Sequence, residues 1–411
     1  MRTKSLVTAA AVAVLLIAGC GNANDGAASK ASTSPGALDC TTQGVSTDKV
    51  SIGASLPLSG PLAVTAAIDA GRSAYFKALN AAGGVGGRTI EYKSYDDQGD
   101  PARTAANARR LVEQDKVFAL TGTVGTAQGL GVVDYLKTAK VPFLFPVSGS
   151  GVWSQPVKPL VFGFQPVYPD EATMFANYIH DNFPGKKVAV LAQSDDAGTE
   201  WVTPFEAEST KLGTKPAATV RFDLAAQSLE TQVLSLQRSG AEVVAVMGRV
   251  DVVAKVLQEG AKIGYKPRLV VSNIGLSAQL FKLVSPDLAA GALFAGYFPP
   301  ADAKTDAMAA HRDAMAKYAP NVKVDAFTML GWSSADAIVE GMKKAGSSLD
   351  CKSFISGMES LHSYTNGLTP PISMSSTDHQ AIDAQQILEA RGTGFEAISD
   401  FLNPAGKPVG K

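Results

Sequence analysis

Cysteine, histidine and tryptophan are all scarce in this chain of 411 residues, at three, four and three copies. The histidines His180, His311, His362 and His379 are scattered without paired ligand spacing, which argues against a histidine-based metal centre. No Gly-x4-Gly-Lys-Ser/Thr run is present to cradle a nucleotide phosphate. No Gly-x-Ser-x-Gly elbow is present to carry a nucleophilic serine. The glycines of Gly83–Gly87 follow a helical pattern and precede a strand, the reverse of a dinucleotide fingerprint. Charge of one sign is also lacking: 37 basic residues balance 38 acidic ones, and no basic block offers a surface for nucleic acid. These absences leave no catalytic constellation and no expected metal or cofactor, so the chain is not read as an enzyme.

What is present begins with a targeting pattern. Arg2 and Lys4 precede an apolar run, Leu6 to Ile17, which is shorter than the about 20 residues a membrane-spanning helix needs. The run ends in Ile17-Ala18-Gly19-Cys20, which looks like the lipobox of bacterial lipoproteins. On that reading residues 1–19 are a signal peptide and Cys20 carries lipid, so the protein is extracytoplasmic and anchored to the cell membrane. Residues 20–47, rich in Gly, Ala, Ser, Asn and Thr, are expected to be a flexible tether. Cys40 and Cys351 remain; export to an oxidising compartment predicts a disulfide between them, the alternative being two buried thiols.

From Val50 onward, short β-rich runs alternate with amphipathic helical stretches. Val50–Leu56 reads as a strand, Ile68–Ala82 as a helix ending at Gly83-Gly84, and Thr89–Tyr95 as the next strand. Asp100-Pro101 is a helix start, with Asp as cap and Pro at the first helical position. A second such series follows from Asp170 to Phe298, then two long helical patterns near Thr305–Tyr318 and Ala326–Ala345, and a hairpin turning at Gly392–Gly394. Alternation of this kind predicts an α/β protein with two doubly wound parallel-sheet lobes. Ligands of such folds sit at strand carboxyl ends beside helix N-termini, and a cleft between lobes is a favoured site.

Several runs then resemble one family. Ile52-Gly53-Ala54 followed by Pro57-Leu58-Ser59-Gly60-Pro61 opens like the type I periplasmic binding proteins of the leucine/isoleucine/valine group. Asn80 to Arg88, Asp96-Asp97 with Asp100-Pro101, Arg110-Leu111-Val112, Gly331, Gly367 to Pro371 and Asp378-His379 continue the likeness over about residues 48 to 402. The resemblance implies lobes joined by a three-crossing hinge, with lobe 1 as residues 48–166 and 299–375 and lobe 2 as 167–298 and 376–411. It implies a monomer that closes on a small solute, an amino acid or related organic acid, and then docks on an ABC permease in the membrane. A sensing module that signals to a membrane partner would share the fold and the cleft.

The resemblance also nominates residues. The strand-to-helix turn Gly122 to Gln128 offers free N–H groups for a carboxylate, at positions matching Thr126 and Ala127; the alternative is a turn whose glycines serve packing. Ser148 and Gly149, with Ser150 beside them, match a stretch that uses backbone and hydroxyl groups. Trp153 is a candidate cover for an apolar ligand or a core residue. Tyr168 lies at the first lobe crossing, where it faces the pocket or packs the hinge. Asp195 to Gly198 matches a family stretch that carries an aromatic where Ala197 stands. Arg249 and Asn273 each follow a second-lobe strand, and amino-acid binders typically place a glutamate where Asn273 stands. That departure predicts a carboxylate ligand without an ammonium group.

Overall fold

The computed structural model describes residues 38–409; the expectations for the signal peptide, for Cys20 and for the tether up to residue 37 lie outside these. The described chain builds two sheets in turn. The first lobe runs β1 (Lys49–Leu56), α1 (Ala66–Ala81), β2 (Thr89–Asp96), α2 (Pro101–Glu113), β3 (Ala119–Thr121), α3 (Thr126–Ala139), β4 (Phe143–Leu144) and β5 (Val161–Phe162). The second runs α4 (Tyr168–Asn182), β6 (Val188–Gln193), α5 (Asp196–Lys211), β7 (Ala218–Phe222), α6 (Glu230–Arg238), β8 (Val243–Met247), α7 (Val250–Lys262), β9 (Arg268–Val271), two single-turn helices α8 (Leu280–Leu283) and α9 (Pro286–Ala289), and β10 (Leu293–Gly296). The chain then returns to the first lobe with α10 (Asp306–Tyr318), α11 (Ala326–Ala345) and α12 (Cys351–Glu359), and ends in the second with the hairpin β11 (Gln386–Arg391) and β12 (Gly394–Ala397).

The first sheet has the order β2-β1-β3-β4-β5 and is parallel throughout. The second has the order β12-β11-β10-β9-β8-β6-β7, parallel except for the terminal hairpin. Helices cover both faces, so β6 and β8 are buried at every residue and read as unbroken apolar runs instead of alternating ones.

Local chemistry sets the helix boundaries. The Asp100 carboxylate accepts from the N–H groups of Ala102 and Arg103 and starts α2. Asp195 does the same for α5 through Gly198 N–H, so this helix begins at Asp196. In the first lobe α1 and α11 touch backbone to backbone. A Cβ on Gly71 would lie 2.0 Å from the Thr328 carbonyl oxygen, and one on Gly331 would lie 1.9 Å from that of Ile68. Glycine at both positions is what lets these helices meet.

Three domain boundaries need correction. Residues 38–47 are not tether. Thr41 N–H donates to Lys140 O at 2.9 Å, the Gln43 side-chain amide donates to Val112 O and Val117 O, and Cys40 is bonded to Cys351. These small polar residues are held by hydrogen bonds to the body, a fixing that apolar content does not reveal. The third crossing comes later than 375/376. His379 stacks on Phe162 and bonds the Val161 carbonyl at 2.8 Å, while Ala381 and Ile382 are buried in the first core, so 376–382 stay with lobe 1. Tyr297 and Phe298 likewise bury against the first core, directly after β10.

Candidate functional site

A cavity of about 370 Å³ opens between the lobes at the carboxyl ends of their strands. On the first-lobe side lie Leu62 and Thr65, the turn from Val124 to Gln128, Val147, and the start of α11 at Ala326, Phe327 and Leu330. On the second-lobe side lie Tyr168, Gln193, Asp195, Ala197, Leu224, Arg249, Asn273, Ile274 and Leu276. The crossings supply Gln165, Tyr297 and Phe298. Most of this wall is apolar, with polar groups at a few fixed points, the usual make-up of a small-molecule site.

The first-lobe turn is built around Gly125, whose φ of 107° is a conformation that L side chains rarely adopt. As the residue before α3 it brings no side chain to cap the helix, so the first N–H groups of α3 have no side-chain partner. Gly125 N–H is held by Val147 O at 3.0 Å, which ties the turn to the neighbouring loop. Thr126 and Ala127, both lining the cavity, start the helix, whose dipole places positive potential there.

The polar groups of the second lobe are engaged with one another. Asp195 accepts from the Gln193 amide at 2.9 Å and from Gly198 N–H at 2.9 Å. Arg249, the residue before α7, bonds Asp251 at 3.2 Å and keeps part of its side chain exposed to the cavity mouth. Asn273 donates from its backbone N–H to Glu171 Oε2 at 3.1 Å, and its side-chain amide meets the same carboxylate and Gln385 Oε1. Glu171 lies fully buried behind this wall and also accepts from the Trp201 indole at 3.0 Å. Burial pushes its carboxyl above the usual range, against the pull of the donors around it. Burial also pushes the Tyr168 phenol up.

Of the residues nominated from sequence, Thr126, Ala127, Tyr168, Arg249 and Asn273 share this cavity, whereas Ser148, Gly149 and Ser150 do not line it. Ser148 is buried with its hydroxyl 2.8 Å from that of Thr126, so it supports the turn from behind. Ser150 caps the single helical turn Gly151–Trp153, and Gly149 packs under the Tyr168 ring, where a Cβ would come within 2.7 Å. Trp153 is fully buried, edge-on to Phe143, and belongs to the first-lobe core. The apolar wall residues Leu62, Leu224, Leu276, Phe327 and Leu330 carried no signal in the sequence, because an apolar side chain at such spacing serves a core equally well. Among the described residues no cluster of His, Cys, Asp or Glu has the arrangement of a metal centre.

Comparison with known proteins bears on this geometry. A family model described as periplasmic binding protein matches residues 49–394. A protein of Brucella melitensis named Leu/Ile/Val-binding protein homolog 3 is 27% identical over 305 residues, covering 73% of this chain and 80% of its own. A branched-chain amino acid ABC transporter protein from Thermus thermophilus, solved with bound valine, superposes with a TM-score of 0.79 at 19% identity, over 87% of this chain and 97% of its own. A fatty acid ABC transporter substrate-binding protein from Thermomonospora curvata gives the same TM-score, 0.79, at 19% identity, over 90% of this chain and 96% of its own. At such identities the two superpositions speak to the fold.

Proposed function

The chain belongs to the periplasmic binding protein family, a family of solute-binding proteins and not of enzymes, and from that premise we propose that it binds a small apolar carboxylic acid between its lobes for an ABC importer. The same reading places the protein outside the cytoplasmic membrane, held there by lipid at Cys20, with a permease as its membrane partner.

One observation carries the ligand class: an uncapped helix N-terminus on one wall of an otherwise largely apolar cavity. Peptide N–H groups and the helix dipole suit a carboxylate. The apolar wall, with Leu62, Leu276, Phe327 and Leu330, suits a hydrocarbon body. An ammonium group finds less. Asp195 already accepts from Gln193 and Gly198, and Asn273 is bound to Glu171. Arg249, although paired with Asp251, lines the cavity with a guanidinium that favours a second anionic or carbonyl group over an ammonium. Branched-chain amino acids and fatty acids, the ligands named for relatives of this chain, share a carboxylate and an apolar body, and only the former carry an ammonium group.

Calorimetry on a matched pair tests the reading. Leucine and 4-methylpentanoate differ only in the amino group, and 4-methylpentanoate is expected to bind more tightly. Low-micromolar binding of leucine, isoleucine or valine overturns it. Arg249→Ala is expected to weaken binding of the acid by more than about tenfold, or about 1.4 kcal/mol. An unchanged affinity in that variant puts Arg249 out of reach of the ligand.

A further inference from the structure

The two lobes are also joined away from the crossings. The Glu200 carboxylate, on the first turns of α5 in the second lobe, accepts a hydrogen bond from Gly151 N–H in the first lobe at 2.6 Å. Glu200 does not line the cavity. Among the described residues it has no ion pair and no second hydrogen-bond partner, so its one bond is the one across the cleft. Beside it, at the first crossing, Tyr168 N–H donates to Gly149 O.

The first-lobe end of this bond is rigid. Gly151 begins a helical turn capped by the Ser150 hydroxyl and closed by Trp153, which is buried against Phe143 and against α3 at Gly129. The same loop reaches the ligand turn: Ser150 N–H donates to Ser148 Oγ at 3.1 Å, and Ser148 Oγ meets Thr126 Oγ1 at 2.8 Å. Glycine leaves room for the carboxylate, since a Cβ at 151 would lie 3.3 Å from Glu200 Oε1. On the other lobe Glu200 is one turn beyond Ala197, which lines the cavity. A charge-assisted bond therefore links α5 to the loop that braces the start of α3.

We propose that Glu200 is an interlobe latch, a positioning residue that favours the closed arrangement even with the cavity empty. A bond to an ionised acceptor is among the stronger hydrogen bonds, and one made only in the closed state shifts the closing equilibrium by its full worth. The idea rests on the interlobe cleft being the solute site, but its test needs no solute, so it stands or fails separately from the ligand assignment.

The test is a distance measurement on the full exported chain with its disulfide intact. Nitroxide labels on Lys137→Cys, in the last turn of α3, and Lys262→Cys, in the last turn of α7, report lobe separation by pulsed electron spectroscopy. The otherwise unsubstituted protein is expected to show a short-distance population without ligand. Glu200→Ala is expected to cut the ratio of short to long distances by about tenfold. Glu200→Gln, which keeps a neutral acceptor and the size of the side chain, is expected to fall between, and it carries the test alone if the alanine variant does not fold. Hydrogen exchange at Gly151 N–H is expected to quicken in both variants. Distance distributions identical to that of the parent, or a parent with no short-distance population, overturn the proposal.

Discussion

The lobes differ in what they bring to the cavity and in how they are held. The first lobe offers peptide N–H groups at the start of α3, fixed by Gly125 and by Ser148 behind Thr126. The second offers side chains, and each is already bound to a neighbour: Gln193 to Asp195, Arg249 to Asp251, Asn273 to Glu171. The first lobe is also stapled by Cys40–Cys351 and by the glycine contact between α1 and α11, whereas the second contains no cysteine. Fixed dipoles on a stapled lobe suit a group common to many ligands. Paired side chains on an unstapled lobe can change partners, and on the proposed reading the feature distinguishing one ligand from another meets the protein there.

The largest expected effect tests the difference in stapling. The disulfide closes a sequence separation of 311 residues, and chain-entropy arguments put its worth at up to about 5 kcal/mol. Mass spectrometry of the unreduced protein should recover Cys40 linked to Cys351. After reduction, hydrogen exchange should quicken around residues 41–51 and in α12 while β6, β8 and β9 keep their protection. Equal loss in both lobes would mean they unfold as one unit, and the comparison breaks.

Next comes pH. His311, buried in the first lobe with Nε2 3.0 Å from Thr328 Oγ1, has its pKa pushed down to about 4 by burial and then by Arg312. The unfolded chain binds this proton near pH 6.5, and the folded chain only near pH 4. Stability from this site is therefore complete above about pH 6.5 and is lost as pH falls towards 4, by at most about 3 kcal/mol. Urea unfolding at pH 7 and pH 4.5 should show a smaller loss in His311→Gln than in the parent. An equal loss in the two proteins assigns the acid sensitivity to other groups.

The smallest of the three sharpens the contrast in recognition. Proline is tolerated at the first helical position, and Gly125 with ψ of 149° suits the residue before it. Thr126→Pro thus deletes one N–H while leaving α3 in place, and should weaken an acid ligand by up to about a hundredfold, or about 2.8 kcal/mol. Thr126→Val keeps the N–H and loses only the hydroxyl, and should cost less than tenfold. If the valine variant is the weaker binder, the hydroxyl and not the peptide group holds the ligand.

Much of this architecture was legible before any coordinates. Buried parallel strands announce themselves as short apolar runs, and helix starts such as Asp100-Pro101 follow from capping chemistry alone. The strand-to-helix turn of Gly122 to Gln128 followed from its glycines, while only the family resemblance pointed to Thr126 and Ala127 within it. Ser148 and Ser150 do not line the cavity: β4 covers only Phe143 and Leu144, after which Phe145, at φ 57°, turns the chain. No pattern in the sequence encodes that turn. The tether was drawn too long because hydrogen bonds from Thr41 and Gln43 leave no apolar signature, although Cys40, once paired with Cys351, already required residues near it to sit on the body. Tyr297 and Phe298 were placed with β10, which they follow, since sequence proximity says nothing of which core a crossing residue enters.

The return of the chain to its first lobe has a consequence for synthesis. Helix α1 is finished by residue 81, but its partner α11 is not complete until residue 345. In between, the ribosome makes nearly the whole second lobe, from α4 to β10, whose strands pair largely among themselves. The later-made lobe can therefore gather its core while the earlier-made one still exposes the apolar side of α1 and the face of its sheet. Domains fold as units when their parts are present, and transiently open apolar surface is where misassembly begins. For this chain the vulnerable interval belongs to the N-terminal lobe, and it ends when Gly331 arrives to lie against Ile68.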